Sequence, residues 1–238
     1  MNWDQFDAAL FDLDGVITPT AEVHMRAWEA MFNEFLAAQP GQHAPYTADD
    51  YFQFVDGKPR YDGVRSFLSS RGIELPEGSG AADLSRETVS GLGNSKDALF
   101  NEILQRDGVQ PFAGSVALLD HLAGRDIVLA IVSSSRNARG VLAAAGLLER
   151  FAFVVDGNVA AEHALPGKPN PDTFQYAARQ AGADDARSVV IEDAVSGVQA
   201  GRAGEFGLVI GVDRGAGADV LTAAGADIVV TDLQELVP

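Results

Sequence analysis

Apolar and polar positions change period twice along this chain, near residues 18–24 and 104–114. Before the first change, AALF is a compact apolar run that ends in the polar turn DLDGV and predicts a strand over residues 8–12. Helical spacing dominates the middle stretch. HMRAWEAMFNEFL sets His24, Trp28, Phe32 and Phe35 on one face at intervals of four, four and three, with Glu29 and Asn33 turned elsewhere. YDGVRSFLSSRG and SKDALFNEILQRDG also predict helices, each closed by glycine. Between them and the first helix, residues 37–50 are rich in turn formers and predict a loop.

From residue 114 onward helix and strand alternate. DIVLAIV, FAFVV, SVVIE, GLVIGV and ADIVV read as strands, separated by helical segments such as DTFQYAARQAG and AVSGVQAGRAG. The strands are almost continuously apolar, which implies burial on both faces, as in a parallel sheet covered by helices. The expected fold is α/β: a Rossmann-like parallel-sheet core from residues 1–18 and 106–238, with a mainly helical cap domain, residues 19–105, inserted after the first strand. Loops leaving parallel strands converge at the carboxyl edge of a sheet, so that edge is where chemistry is expected.

Composition narrows the choice. A hydrophobic fraction of 47% suffices for a real core. Asp and Glu number 34 against 17 Lys and Arg, a formal charge of −17, which argues against a nucleic-acid groove or a polybasic membrane surface. Cysteine is absent and histidine occurs four times with no HExxH pair, so the available metal ligands are mostly oxygens, which favour hard cations such as Mg2+. No secretory pattern opens the chain and no 18-residue uncharged apolar run follows, so the expected location is the cytoplasm. No obligate protein partner is evident.

Polar residues then cluster where strands are predicted to end. FDLDGV supplies Asp12 and Asp14, whose mutual repulsion a cation, a proton or hydrogen bonds must offset. IVSSSRN supplies Ser133, Ser134, Ser135, Arg136 and Asn137 at a strand-to-helix turn suited to phosphate oxygens. GKPNPDTF places Lys168 in a constrained turn, with Pro171 suited to the first helical position, and SVVI runs into Glu192 and Asp193. Taken singly, these also read as a solvated turn, a helix cap, a solvated lysine and a second cap. Taken together they assemble carboxylates, an ammonium and hydroxyls from four segments, a set able to hold a metal, an anion and a nucleophile.

In that order and spacing, FDLDGVITPT, IVSSSRN, GKPNPDTF and VIEDAVSGVQA resemble the haloacid dehalogenase-like phosphotransferases, in particular the capped beta-phosphoglucomutase and sugar-phosphatase branch. The resemblance implies that Asp12 forms a phosphoaspartate and contacts Mg2+. It implies that Asp14 is the general acid/base and lends a carbonyl to the metal, with Asp193 and Glu192 as further acidic groups of the metal site. Ser133, Ser134 and Lys168 match phosphate-binding positions, and Ser135, Arg136 and Asn137 a loop for the nonreacting end of a sugar phosphate. DGVITPTAEVHMRAW resembles the hinge and first cap helix, which implies that His24 and Trp28 help position the acid/base and close the cap, while Arg60 and Lys96 resemble basic cap positions that meet a second phosphate or a substrate hydroxyl, with Lys58 a competing anion binder. Pro19 and the YDGV after Arg60 depart from the mutase pattern. The expected function is therefore a Mg2+-dependent phosphatase of a small sugar phosphate, ahead of beta-phosphoglucomutase, with a catalytically silent metabolite-binding domain third.

Overall fold

The computed structural model describes all residues from Met1 to Pro238. The chain divides into two compact units: Met1–Thr20 with Val109–Pro238, and Ala21–Gly108.

The first unit is built on a six-stranded, wholly parallel sheet. Its strands are β1 (Ala8–Phe11), β2 (Val128–Val132), β3 (Phe153–Val155), β4 (Ser188–Glu192), β5 (Leu208–Val212) and β6 (Ile228–Val230). Their order is β3-β2-β1-β4-β5-β6, the doubly wound arrangement in which the strand order reverses beside β1. Every residue of β1 and of β4 is buried, which explains their unbroken apolar runs: helices cover both faces. Register places Phe11 beside Ile131 of β2 and Ile191 of β4. The residues that follow these three strands therefore emerge side by side.

The second unit is helical apart from its loops. It comprises α1 (Thr20–Ala38, whose first residue belongs to the sheet unit), α2 (Ala48–Asp50), α3 (Arg60–Ser70) and α4 (Val89–Asp107). The predicted apolar face of α1 forms an aromatic core: the Phe32 ring lies 5.2 Å from Trp28, 4.1 Å from Phe67 and 5.1 Å from Tyr46. The fold is thus a parallel-sheet core with a helical insertion, as the alternation of periods predicts.

Around the sheet lie α5 (Ala113–Leu122), α6 (Ala138–Ala144), α7 (Gly157–Glu162), α8 (Asp172–Ala181), α9 (Val195–Ala203) and α10 (Ala218–Ala224). Two local differences from expectation have physical causes. The predicted loop 37–50 contains the start of a helix, because Thr47 and Asp50 form a reciprocal capping box that starts α2 and leads into a π-helical turn, Tyr51–Val55. Pro171 stands one position outside α8, as its N-cap, because the helix starts at Asp172. No helix is long and apolar enough to cross a membrane.

Candidate active site

Lys168 lies at the centre of the carboxyl edge of the sheet, its side chain 1% exposed. Its ammonium donates to Asp12 Oδ1 at 2.6 Å, to Glu192 Oε1 at 2.6 Å and to the Val132 carbonyl at 3.0 Å. All three of its protons are thereby directed to the ends of β1, β4 and β2. The Phe174 ring of α8, 4.9 Å from Nζ, closes the remaining side. Burial works against the ammonium, yet the charges of Asp12 and Glu192 outweigh it and hold its pKa above the ordinary lysine value.

Glu192 is a fixed strut. One oxygen receives Lys168 and the other receives the Ala194 backbone N–H at 2.9 Å. Gly197, on the first turn of α9, packs directly on it: a Cβ there would lie 1.8 Å from Glu192 Oε1. Asp12 continues the β1 ladder, its N–H donating to the Ile191 carbonyl at 2.9 Å. Burial pushes its carboxyl well above the ordinary range; Lys168 opposes the shift, and the negative charges of Glu192 and Asp14 add to it.

Asp12, Glu192 and Asp193 can each offer an oxygen within 4.8 Å of the others. Three buried carboxylates face one ammonium, so the cluster holds more negative charge than Lys168 balances. An all-oxygen donor set with surplus negative charge fits a hard divalent cation. Gly15 keeps the cradle open: its φ is +90°, and a Cβ would sit 1.8 Å from Asp193 Oδ2, so only glycine satisfies both the turn and the close approach.

Asp14 stands beside this cluster. Thr20 Oγ1 donates to its Oδ1 at 2.5 Å, Thr18 and Thr20 share a 2.7 Å hydroxyl contact, and Ser133 Oγ lies 3.5 Å from its Oδ2. Ser133 Oγ also accepts the Ser135 N–H at 3.1 Å, and Ser135 Oγ accepts the Asn137 N–H at 3.2 Å, so the SSSRN segment is wound into successive hydroxyl turns. The start of α7 braces that loop. Gly157 N–H donates to the Ser135 carbonyl at 3.0 Å, Asn158 Nδ2 to the Arg136 carbonyl at 3.0 Å, and a Cβ on Gly157 would lie 2.8 Å from the Ser134 carbonyl.

The core residues singled out in the sequence thus converge: Asp12, Asp14, Ser133, Lys168, Glu192 and Asp193 meet at adjacent strand ends. In the helical unit, Lys96 Nζ contacts His24 Nδ1 and lies 5.1 Å from the Trp28 ring and 5.0 Å from the Phe100 ring. His24 stacks on Phe100 at 4.1 Å, and Trp28 is a core residue, 4% exposed. Arg60 pairs with Asp97 at 3.0 Å. Lys58 is spent locally, donating to the Phe54 carbonyl and to Ser66 Oγ, both at 2.9 Å.

Sequence reasoning missed Thr20, Gly157, Asn158 and Gly197. Thr20 was reachable, as a hydroxyl six residues after Asp14 at the start of a helix. The others brace backbone groups distant in sequence or pack closely against a side chain, which leaves no local pattern.

This constellation matches a known group. A family model described as haloacid dehalogenase-like hydrolase matches residues 6–204, and the chain belongs to that family. Among its relatives, a protein named Beta-phosphoglucomutase from Mycobacterium bovis is 48% identical over 237 residues, spanning 96% of this chain and 90% of its own. Another protein of that name, from Bacillus subtilis, is 30% identical over 232 residues, spanning 96% and 94%. A crystal structure of beta-phosphoglucomutase from Clostridium difficile shares the fold, with a TM-score of 0.77 at 23% identity, covering 97% of this chain and 93% of that one. Family membership and the buried carboxylate cluster together assign the chain to phosphoryl-transfer chemistry through an aspartate nucleophile.

Proposed function

We propose that the protein is a Mg2+-dependent phosphoryl-transfer enzyme of a small sugar phosphate, in which Asp12 is the nucleophile and Asp14 the general acid/base. The observation that carries this reading is Lys168 held between Asp12 and Glu192 at the strand ends, with Asp193 beside them. A fixed ammonium there draws in a phosphate while keeping Asp12 oriented.

Asp12 attacks phosphorus in line; the bond from phosphorus to the sugar oxygen breaks, and the Asp14 carboxyl donates its proton to that oxygen. The aspartyl phosphate then passes its phosphoryl group to an incoming hydroxyl, whose proton returns to Asp14. Ser133 holds a nonreacting oxygen, with Ser134 nearby in the same loop; Lys168 binds the phosphate through its positive charge and by exchanging its Val132 carbonyl contact for a phosphate oxygen, and Ser135, Arg136 and Asn137 serve the far end of the substrate. Asp12, Asp193 and the Asp14 carbonyl would hold the Mg2+, with Glu192 steadying Lys168 beside it. When bound, the cation supplies charge neutralisation at the phosphoryl oxygens.

Water as the acceptor gives a phosphatase; a second sugar hydroxyl gives a mutase. The departures at Pro19 and at the YDGV after Arg60 favour hydrolysis. The two relatives named Beta-phosphoglucomutase, similar along nearly the whole chain, favour transfer between beta-glucose 1-phosphate and glucose 6-phosphate, and so does the His24–Lys96 pair. Arg60 and Lys96 are the helical unit's candidate anion-binding cations, with His24 and Trp28 shaping the surface around Lys96. The test is incubation with Mg2+ and beta-glucose 1-phosphate, with and without a trace of glucose 1,6-bisphosphate, following glucose 6-phosphate and free phosphate separately. Primed isomerisation with little phosphate release is expected; dominant phosphate release would return hydrolysis to first place.

A further inference from the structure

Three consecutive carbonyls in the turn that leaves β1 are each gripped by a donor remote in sequence. Phe112 N–H donates to the Ile17 carbonyl at 3.0 Å, Ser115 Oγ to the Val16 carbonyl at 2.6 Å, and Arg214 Nε to the Gly15 carbonyl at 2.8 Å. The first two come from the start of α5. The third comes from the loop after β5, at the side of the sheet where none of the residues assigned above to phosphoryl transfer lies.

Arg214 is placed with care. Its Nη1 donates to the Thr231 carbonyl at 2.9 Å, just beyond β6, and its guanidinium carbon lies over the Phe112 ring, 3.9 Å from the centroid. Nη2 is buried and makes no hydrogen bond. No carboxylate pairs with it, so its partners are two carbonyls and an aromatic face. The loop behind it is stiff, because Asp213 Oδ1 accepts the Gly215 and Gly217 N–H groups at 2.9 and 3.0 Å, and Asp213 N–H donates to the Val230 carbonyl. A half-buried arginine serving only one side of a surface loop would need none of this.

The Gly15 carbonyl belongs to the residue directly after Asp14, and Gly15 also fits against Asp193 with no room for a Cβ. That carbonyl lies in the Gly15–Val16 peptide, one peptide beyond Asp14, and the preceding Asp14–Gly15 peptide is tied into the same turn by its N–H donating to the Thr18 carbonyl at 2.7 Å, so a shift of the turn is passed back to the Asp14 side chain. We propose that Arg214 is a positioning residue for phosphoryl transfer: by holding the Gly15 carbonyl, it fixes the turn that carries the acid/base Asp14, and so couples the β5–β6 edge to the catalytic edge. This rests on the acid/base role proposed above for Asp14.

The test separates steps that need a proton from one that does not. Acetate leaves from acetyl phosphate without protonation, whereas a sugar alkoxide must be protonated as it leaves. Arg214→Ala and the milder Arg214→Lys are compared with wild type for turnover of beta-glucose 1-phosphate and for phosphoenzyme formation from acetyl phosphate, with Asp14→Asn as the control. Arg214→Ala is expected to slow sugar-phosphate turnover by about 10- to 100-fold, as a misplaced catalytic group does. It should leave phosphoenzyme formation near the wild-type rate, and Arg214→Lys, which keeps one donor, should fall between. Added guanidinium should restore part of the Arg214→Ala turnover. Equal loss in both assays, or loss in neither, overturns the proposal; if Arg214→Ala does not fold, the same two outcomes in Arg214→Lys decide it. Undiminished sugar-phosphate turnover in Asp14→Asn would instead refute the acid/base reading itself.

Discussion

Each unit of the chain buries a lysine, and the two are held by different kinds of partner. Lys168 in the sheet unit lies between two carboxylates at 2.6 Å each. Within the helical unit, Lys96 is held by an imidazole nitrogen and the faces of two aromatic rings. Two formal negative charges make Lys168 part of a charge balance in which no member can leave alone. Aromatic faces and an imidazole tolerate a neutral replacement far better, because they are themselves stable when buried without a cation. The first arrangement sets a charge among opposite charges, and the second seats one against aromatic faces and an imidazole.

The largest effect is therefore expected at Lys168. Lys168→Met leaves Asp12 and Glu192 buried without their cation, and should lower stability by about 3–5 kcal/mol. Phosphoenzyme formation should vanish, and adding Mg2+ should recover part of the stability but none of the activity, as read by chemical denaturation and by phosphorylation assay. Gly197→Ala comes next. Its methyl must displace the pinned Glu192 carboxylate, at an expected cost of about 1–3 kcal/mol in denaturant unfolding.

Lys96→Met should cost less, about 1 kcal/mol, because the methionine chain can occupy the same apolar bed. Its main effect should be a raised KM for sugar phosphate, with acetyl phosphate labelling of the sheet unit unchanged. If Lys96→Met destabilised the chain as much as Lys168→Met, the contrast between the two lysines would fail.

The smallest effect concerns acid. Asp83 accepts the backbone N–H groups of Ser85 and Ser79 and the hydroxyls of Thr88 and Ser90, which hold its carboxyl down to about 2 from an ordinary 3.8. A depressed carboxylate stabilises the fold above its unfolded pKa and loses that contribution as pH falls through the folded one. The loop 76–90 should therefore loosen between about pH 4 and pH 2. Each unit holds one of the two tryptophans, Trp3 and Trp28, so a Trp3→Phe background reports on the helical unit alone by fluorescence. Asp83→Asn should flatten that acid transition; an unchanged transition would remove Asp83 from the account.

What the sequence disclosed, and what it concealed, follows from the range of the interactions. The strands of the sheet unit were legible because burial on both faces leaves unbroken apolar runs, and the strand ends named Asp12, Ser133 and Glu192 directly. The apolar stripe of α1 was legible through Trp28, Phe32 and Phe35. By contrast, α7 escaped, because GNVAAE has no fully buried residue and depends on Asp156 capping the Asn158 and Val159 N–H groups. Arg214 escaped for a deeper reason: its partners come from residues 15, 112 and 231, and a cation that binds carbonyls needs no complementary charge for a reader to find. In the site itself, the sequence disclosed Glu192 as an acidic group of the metal cluster, but not that its oxygens also receive Lys168 and the Ala194 N–H, since both contacts depend on the fold.

The central claim is that Asp12, fixed by Lys168, receives the phosphoryl group. Wild type and Asp12→Asn, treated with acetyl phosphate and Mg2+ and quenched in acid, can be compared by intact mass and by peptide mapping, with circular dichroism confirming that both are folded. The account predicts one phosphoryl group on the peptide containing Asp12 in wild type and none in Asp12→Asn. Phosphorylation of folded Asp12→Asn, or of another residue in wild type, would contradict it.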